Sequence, residues 1–193
     1  YGKRSNEMVV EYKIEAGFKK YFRAEDDQFS QFTLNKTSMD QFVKQFGEPN
    51  SREEMEDDAV GGAVTKAVYP WGEARFYQGG EDGLVLYHVD TNSTSMKGPR
   101  GSGVGMRMEE VTSRFRDMGQ LPNDRGDRGI YYDLVEGYAR YKVASDDPGT
   151  GTLEYVYVGS PEGNTTILNY RIEDGRVAGI LMRYLNRRQS MVE

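Results

Sequence analysis

One stretch of this chain is written twice, and that repetition constrains the fold more than any other feature. Met39-Asp-Gln-Phe-Val-Lys-Gln-Phe46 returns as Met108-Glu-Glu-Val-Thr-Ser-Arg-Phe115, 69 residues later (39 to 108). Each copy opens on Met and an acid, carries an apolar residue at its fourth place and ends in Phe. A Gly and a Pro close each one: Gly47 and Pro49, then Gly119 and Pro122. A fixed internal period is the mark of a repeated supersecondary unit. Other segments keep nearly the same spacing. Residues 84–89 return at 153–158, again an offset of 69, and Ala74-Arg-Phe76 returns as Ala139-Arg-Tyr141 at an offset of 65. The chain therefore divides into two similar halves, 1–97 and 98–193.

Each copy has the spacing of a short amphipathic helix. Met39, Phe42, Val43 and Phe46 fall at i, i+3, i+4 and i+7, on one helical face. Ser38 is placed to cap it, with Gln41 completing a capping box, Asp40 in the first turn, and Gly47 and Pro49 to stop it. A helix of about 10 residues is unstable alone and must lay its apolar face on something larger. The sequence supplies sheets. Residues 8–15 alternate as a strand; 64–77 and 84–89 read as strands joined by a glycine-rich turn. In the second half, strands are expected near 130–135, 137–144, 153–158, 166–173 and 177–185. Asp174-Gly175 is a hairpin signal. The acidic run at 51–58 reads as a solvated loop or helical turn, 91–105 as the linker between halves, and 107–116 as the second helix. A helix followed by an antiparallel meander, twice, is α+β.

A short helix ending in Phe46-Gly-Glu-Pro49, followed by a Tyr-rich meander that closes on Glu173-Asp-Gly-Arg-Val177, resembles the β-lactamase-inhibitor-protein-like (BLIP-like) fold. The inhibitor protein is a tandem of two such units, and the small outer-membrane assembly lipoproteins (SmpA/OmlA) share the fold. The resemblance spans roughly residues 30–185. It implies an extracytoplasmic, non-catalytic binding protein whose sheet presents a concave aromatic face. The chain has no cysteines, where the inhibitor has disulfides, so no inhibitory residue is carried across.

Composition narrows the function. A net charge of −6 and a pI near 5.0 argue against nucleic acid as a partner, which requires clustered Lys and Arg. No apolar run of about 18 residues is present, so no segment reads as transmembrane. The chain begins at Tyr1, followed by a polar stretch, as expected of an exported protein or one with a lipid anchor upstream. With no Cys and one His, thiol nucleophiles and histidine-rich metal sites are excluded, and no cofactor motif is present. His88 lies in an apolar strand and reads as structural. No Gly-x-Ser-x-Gly elbow exists to build a triad around it. The carboxylate pairs, such as Asp26-Asp27 and Asp57-Asp58, read as solvated charge. Arg125-Gly-Asp127 is an adhesion-type tripeptide too short to argue from.

The chemically richest stretch is Val68-Tyr-Pro-Trp-Gly-Glu-Ala-Arg-Phe-Tyr77. Read as one strand, it puts Tyr69, Trp71, Glu73, Arg75 and Tyr77 on a single face, with Tyr138, Arg140 and Lys142 as the counterpart in the second half. Aromatic residues interleaved with Arg are the composition of interface hot spots. The expectation is a binding module that holds a protein partner on this face. Stacking of cell-wall glycan on the same aromatics is the alternative, and a small carboxylate-dependent hydrolase ranks last.

Overall fold

Residues 20–79, 83–144, 147–159 and 164–186 are described by the computed structural model; the alternating segment at 8–15 lies outside them. They build one nine-stranded antiparallel sheet. Its strands are β1 (Ser51–Asp57), β2 (Gly62–Tyr69), β3 (Gly72–Gln78), β4 (Leu84–Thr91), β5 (Arg128–Asp133), β6 (Gly137–Val143), β7 (Gly151–Val158), β8 (Thr165–Glu173) and β9 (Arg176–Leu185). Two helices, α1 (Met39–Phe46) and α2 (Met108–Thr112), precede the two meanders. The order across the sheet is β1-β2-β3-β4-β9-β8-β7-β6-β5, so the meanders meet where β4 pairs with β9. The class is α+β, dominated by sheet.

Register explains where the core sits. Ala67, Ala74, Val89, Met182, Leu168, Tyr155, Ala139 and Tyr131 are successive cross-strand partners over eight strands, and every one is buried. Both helices lie on this face. Phe42 of α1 packs edge-on against Phe76, and Phe115, just beyond α2, lies 4.4 Å from Tyr155 between ring centroids. The capping box of α1 forms as its sequence predicts: Gln41 N donates to Ser38 Oγ, and Ser38 N donates to Gln41 Oε1. Sixty-nine residues on, Arg107 N donates to Glu110 Oε2.

Four expectations need correction. The acidic run at 51–58 is strand β1, an edge strand whose residues are mostly exposed. It lacks an apolar alternation because little is packed on it, and a charged edge blocks pairing with other chains. The stretch read as one strand over 64–77 is a hairpin: Pro70 and Trp71 form its turn, and Gly72 starts β3 at φ +135°. Helix α2 is only five residues long, because the chain turns after Thr112; Phe115 reaches the core from the turn.

The fourth correction is the linker. Thr91 belongs to β4, Met96 is buried, and Pro99–Gly101 forms a 3-10 turn with Arg100 at φ +56°. The Arg100 guanidinium is the hub of this region. Its Nε and Nη2 grip both carboxylate oxygens of buried Asp27 at 2.7 and 2.8 Å. Nη1 and Nη2 also donate to the backbone oxygens of Lys20, Arg114 and Tyr21. All five N–H groups are used, and the guanidinium carbon stands 4.3 Å from the Phe115 ring centroid. Asp27 is thus a buried anchor rather than solvated charge.

A bulge shapes the middle of the sheet. Arg75 pairs with His88 but Phe76 pairs with Leu86, leaving Tyr87 as the extra residue. Bulges bend the strand that carries them. Accordingly β4 pairs with β9 only through residues 88–91. Before the bulge it pairs instead with the chain ahead of α1: Asn35 N donates to Leu86 O, and Leu86 N to Thr37 O. The sheet is forked there.

Candidate functional site

The hairpin splits the predicted face. Tyr69 and Trp71 belong to the helix-bearing side: their rings stack at 4.7 Å with 10° between planes, and Trp71 lies 5.9 Å from Phe46 and 6.3 Å from Phe42. Tyr69 is buried, with its hydroxyl donating to Gly47 O. These two aromatics pack on α1, on the opposite face of the sheet from Glu73, Arg75 and Tyr77. A two-residue turn between strands shifts the alternation, which single-strand counting cannot register.

Glu73, Arg75 and Tyr77 do lie on the helix-free face, and so do Tyr138, Arg140 and Lys142. Lys66, Arg75, His88, Arg183, Ile167, Val156, Tyr138 and Tyr132 form one cross-strand row. Glu73, Asp90, Leu181, Asn169, Glu154 and Arg140 form the next. The β3 and β6 groups are five strand spacings apart, roughly 24 Å. Arg140 pairs with Glu154 at 2.7 Å, and Lys142 is exposed.

Around β3 the face is a closed polar cluster. Arg75 bridges Glu73 at 2.7 Å and Asp57 at 3.0 Å, and the Tyr87 hydroxyl donates to Asp57 at 2.7 Å. Tyr87 and Asp57 therefore depend on the bulge and on β1, neither of which is visible in residue spacing. Burial pushes Asp57 up, yet donation from Tyr87, Ala59 N and Arg75 holds its carboxyl below the ordinary value. His88 is 4% exposed, with Nε2 3.4 Å from Glu73 Oε1. That contact is not aligned as a full hydrogen bond, and neither ring nitrogen has another partner. Burial lowers the His88 pKa, with Arg75 acting in the same direction and Glu73 against it. The ring is neutral and enclosed, consistent with a structural role. Arg125-Gly-Asp127 belongs to a tight turn in which Asp127 Oδ1 accepts from Val143 N at 2.7 Å.

This cluster makes the fold acid-labile. Proximity of the His88 ring nitrogen, then of Arg75, holds Glu73 at about 2 instead of 4.5, against the opposing effect of burial. A carboxylate lowered on folding stabilises above its unfolded value and loses that contribution as pH falls from about 4.5 toward 2. Glu73 is partly exposed, so solvent screening reduces this contribution to about 1 kcal/mol. His88 acts in the same direction, since unfolding lets it take up a proton below its ordinary 6.5. Urea midpoints measured from pH 7 to 3 should fall throughout, and Glu73→Gln should flatten the part below pH 4.5. An unchanged acid limb in that variant would place the lability elsewhere.

A cavity of about 400 Å³ lies on the helix-bearing side, between strands β7–β9 and the 24–36 segment. Tyr157, Thr166 and Tyr184, one cross-strand row, form its floor, and residues of the 24–36 segment its roof. The Tyr157 hydroxyl donates to Glu25 Oε1 at 2.8 Å, and burial together with that carboxylate pushes its pKa up to about 12. No spacing rule signals this site. Among the described residues no group of three or more His, Cys, Asp or Glu converges as metal ligands, and no helix is long and apolar enough to cross a membrane. Compared with protein-family models, with curated proteins and with solved structures, the chain matches none.

Proposed function

We propose that this chain is a non-catalytic, extracytoplasmic binding module made of two BLIP-like helix-and-meander units, and that it holds a protein partner on the helix-free face of its sheet. The observation that carries this reading is the composition of the β6–β9 part of that face. Tyr138, Ile167 and Leu181 are half-buried there among exposed Arg140, Lys142 and Arg171. Half-buried aromatic and aliphatic groups ringed by cations suit a protein interface. The face runs on through Tyr132, the partner of Tyr138, to an apolar rim. Leu121 is 88% and Leu134 86% exposed, and Met118, Tyr132 and Val135 are exposed as well. All the large exposed hydrophobics among the described residues lie on edge strand β5 or in the segments flanking it, and exposed apolar surface of this kind suits an interaction edge.

Two equivalences support the repeated-unit part. The contact of Ser38 N with Gln41 Oε1 recurs as Arg107 N with Glu110 Oε2, and Gly72 at the head of the third strand of one meander recurs as Gly137 at the head of the second strand of the other. Export, and a lipid anchor upstream, rest on the resemblance.

The test is capture from native envelope and culture fractions with wild type and an Arg140→Ala/Lys142→Glu variant, both exposed positions on β6. A protein retained by wild type and weakened at least about tenfold in the folded variant, about 1.4 kcal/mol, is the expected result. Equal retention by both, or none by either, overturns the reading. Trp71→Ala is not a surface probe, because it would loosen α1.

A further inference from the structure

We infer that the cavity between the β7–β9 floor and the 24–36 segment is a binding site for a neutral pyranose ring. The site lies on the helix-bearing face and does not depend on the partner surface proposed above.

Three neighbouring strands build the floor of the cavity. Tyr157 and Tyr184 stand on β7 and β9, with Thr166 of β8 between them as cross-strand partner of both. Two strand spacings separate their backbones, roughly 10 Å. A saccharide ring in contact with an aromatic ring on each side needs about 7–8 Å between them, twice the ordinary carbon–carbon contact distance. Thr166, short and buried, keeps the floor of that slot low. Leu or Tyr there would fill it. The volume of about 400 Å³ lies in the range of small-molecule sites.

The polar groups point to hydroxyls rather than to an ion. Glu25 and Lys36 both line the cavity and carry opposite charge, so neither an anion nor a cation is favoured by the net field. Glu25 commits one oxygen to Tyr157 and keeps the other, while Asn35 commits Oδ1 to the Tyr77 hydroxyl and keeps its amide N–H groups. The Asn164 side chain and the Lys36 ammonium make no hydrogen bond or ion pair among the described residues. Planar amide and carboxylate groups beside aromatic rings can bond adjacent ring hydroxyls while the apolar ring face stacks. The roof is built in advance. Gln28 Nε2 donates to Ala24 O at 2.6 Å and its Oε1 accepts from Leu34 N at 2.9 Å, so little ordering is left for the ligand to drive.

Saturation-transfer NMR and calorimetry on the whole chain would use maltotriose, cellotriose and triacetylchitotriose as separate probes. At least one should bind wild type saturably. Tyr157→Ala, which removes one ring, and Thr166→Leu, which fills the slot, should each weaken that binding at least tenfold. Tyr157→Phe, which keeps the ring, should weaken it less than about threefold, about 0.7 kcal/mol. Thermal denaturation shows which variants fold, and the two disruptive changes act independently, so either one can decide. If none of the three probes binds folded wild type, or if binding survives unchanged in a folded disruptive variant, the inference is overturned.

Discussion

Arg100→Ala should destabilise the fold by about 3–5 kcal/mol, the range found when one partner of a buried ion pair is removed. The variant would leave the Asp27 carboxylate, 4% exposed, without its bidentate partner. It would also leave the backbone oxygens of Lys20, Tyr21 and Arg114 without their donor. Arg23 N still donates to Asp27 Oδ2 at 2.9 Å, but one neutral donor does not replace a guanidinium. Arg100→Lys should recover only part of the loss, because an ammonium cannot present the same planar fork. Urea unfolding of the two variants and of Asp27→Asn/Arg100→Ala settles it. The double variant should lose less than the sum of the singles, since each single leaves a buried group unpaired. A loss below about 1 kcal/mol in Arg100→Ala would mean that this region is not a structural hub.

The second large effect is expected at Gly72 and Gly137. Gly72 holds φ +135° and Gly137 φ +105°, conformations that L side chains rarely adopt. An added Cβ at Gly72 would stand 2.0 Å from Asp90 O, and one at Gly137 would stand 2.0 Å from Val156 O. These are backbone oxygens in paired strands, so neither can step aside without breaking a ladder. Ala at either position should cost about 3 kcal/mol or more, the sum of backbone strain and overpacking. Gly47→Ala is the control, with φ +84° but nothing within 4 Å of the new Cβ. At ψ 178° it should cost about 1–3 kcal/mol from backbone strain alone, less than at Gly72 or Gly137. Thermal unfolding of the three variants gives the ranking, and equal losses at all three would show that positive φ alone, rather than the close approach, sets the requirement.

The two glycines also show what the sequence could reveal. Gly72 and Gly137 stand 65 residues apart, the same offset as Ala74-Arg-Phe76 and Ala139-Arg-Tyr141, and their surroundings match atom for atom. The 65-residue spacing thus joins two glycines of matching local geometry. The strands of the second half also fell within about two residues of their expected ends, because their alternation is strong and both faces are distinct. Edge strand β1 was not legible, since most of its side chains are exposed and carry no apolar period. Nor was the Pro70–Trp71 turn, a break in phase inside an otherwise continuous aromatic pattern, and it moved Tyr69 and Trp71 to the other face.

Local pattern alone thus determined the helix α1 with its capping box, the antiparallel meanders and the α+β class, because each depends on neighbours within a few residues. What joins the halves depended on contacts between residues far apart in the chain. Arg100 reaches Asp27 across 73 positions, β4 finds β9, and the 24–36 segment roofs a cavity over Tyr157, Thr166 and Tyr184. Such pairings are chosen by which buried charges and backbone groups must be satisfied once the sheet closes, and that requirement exists only in the tertiary structure.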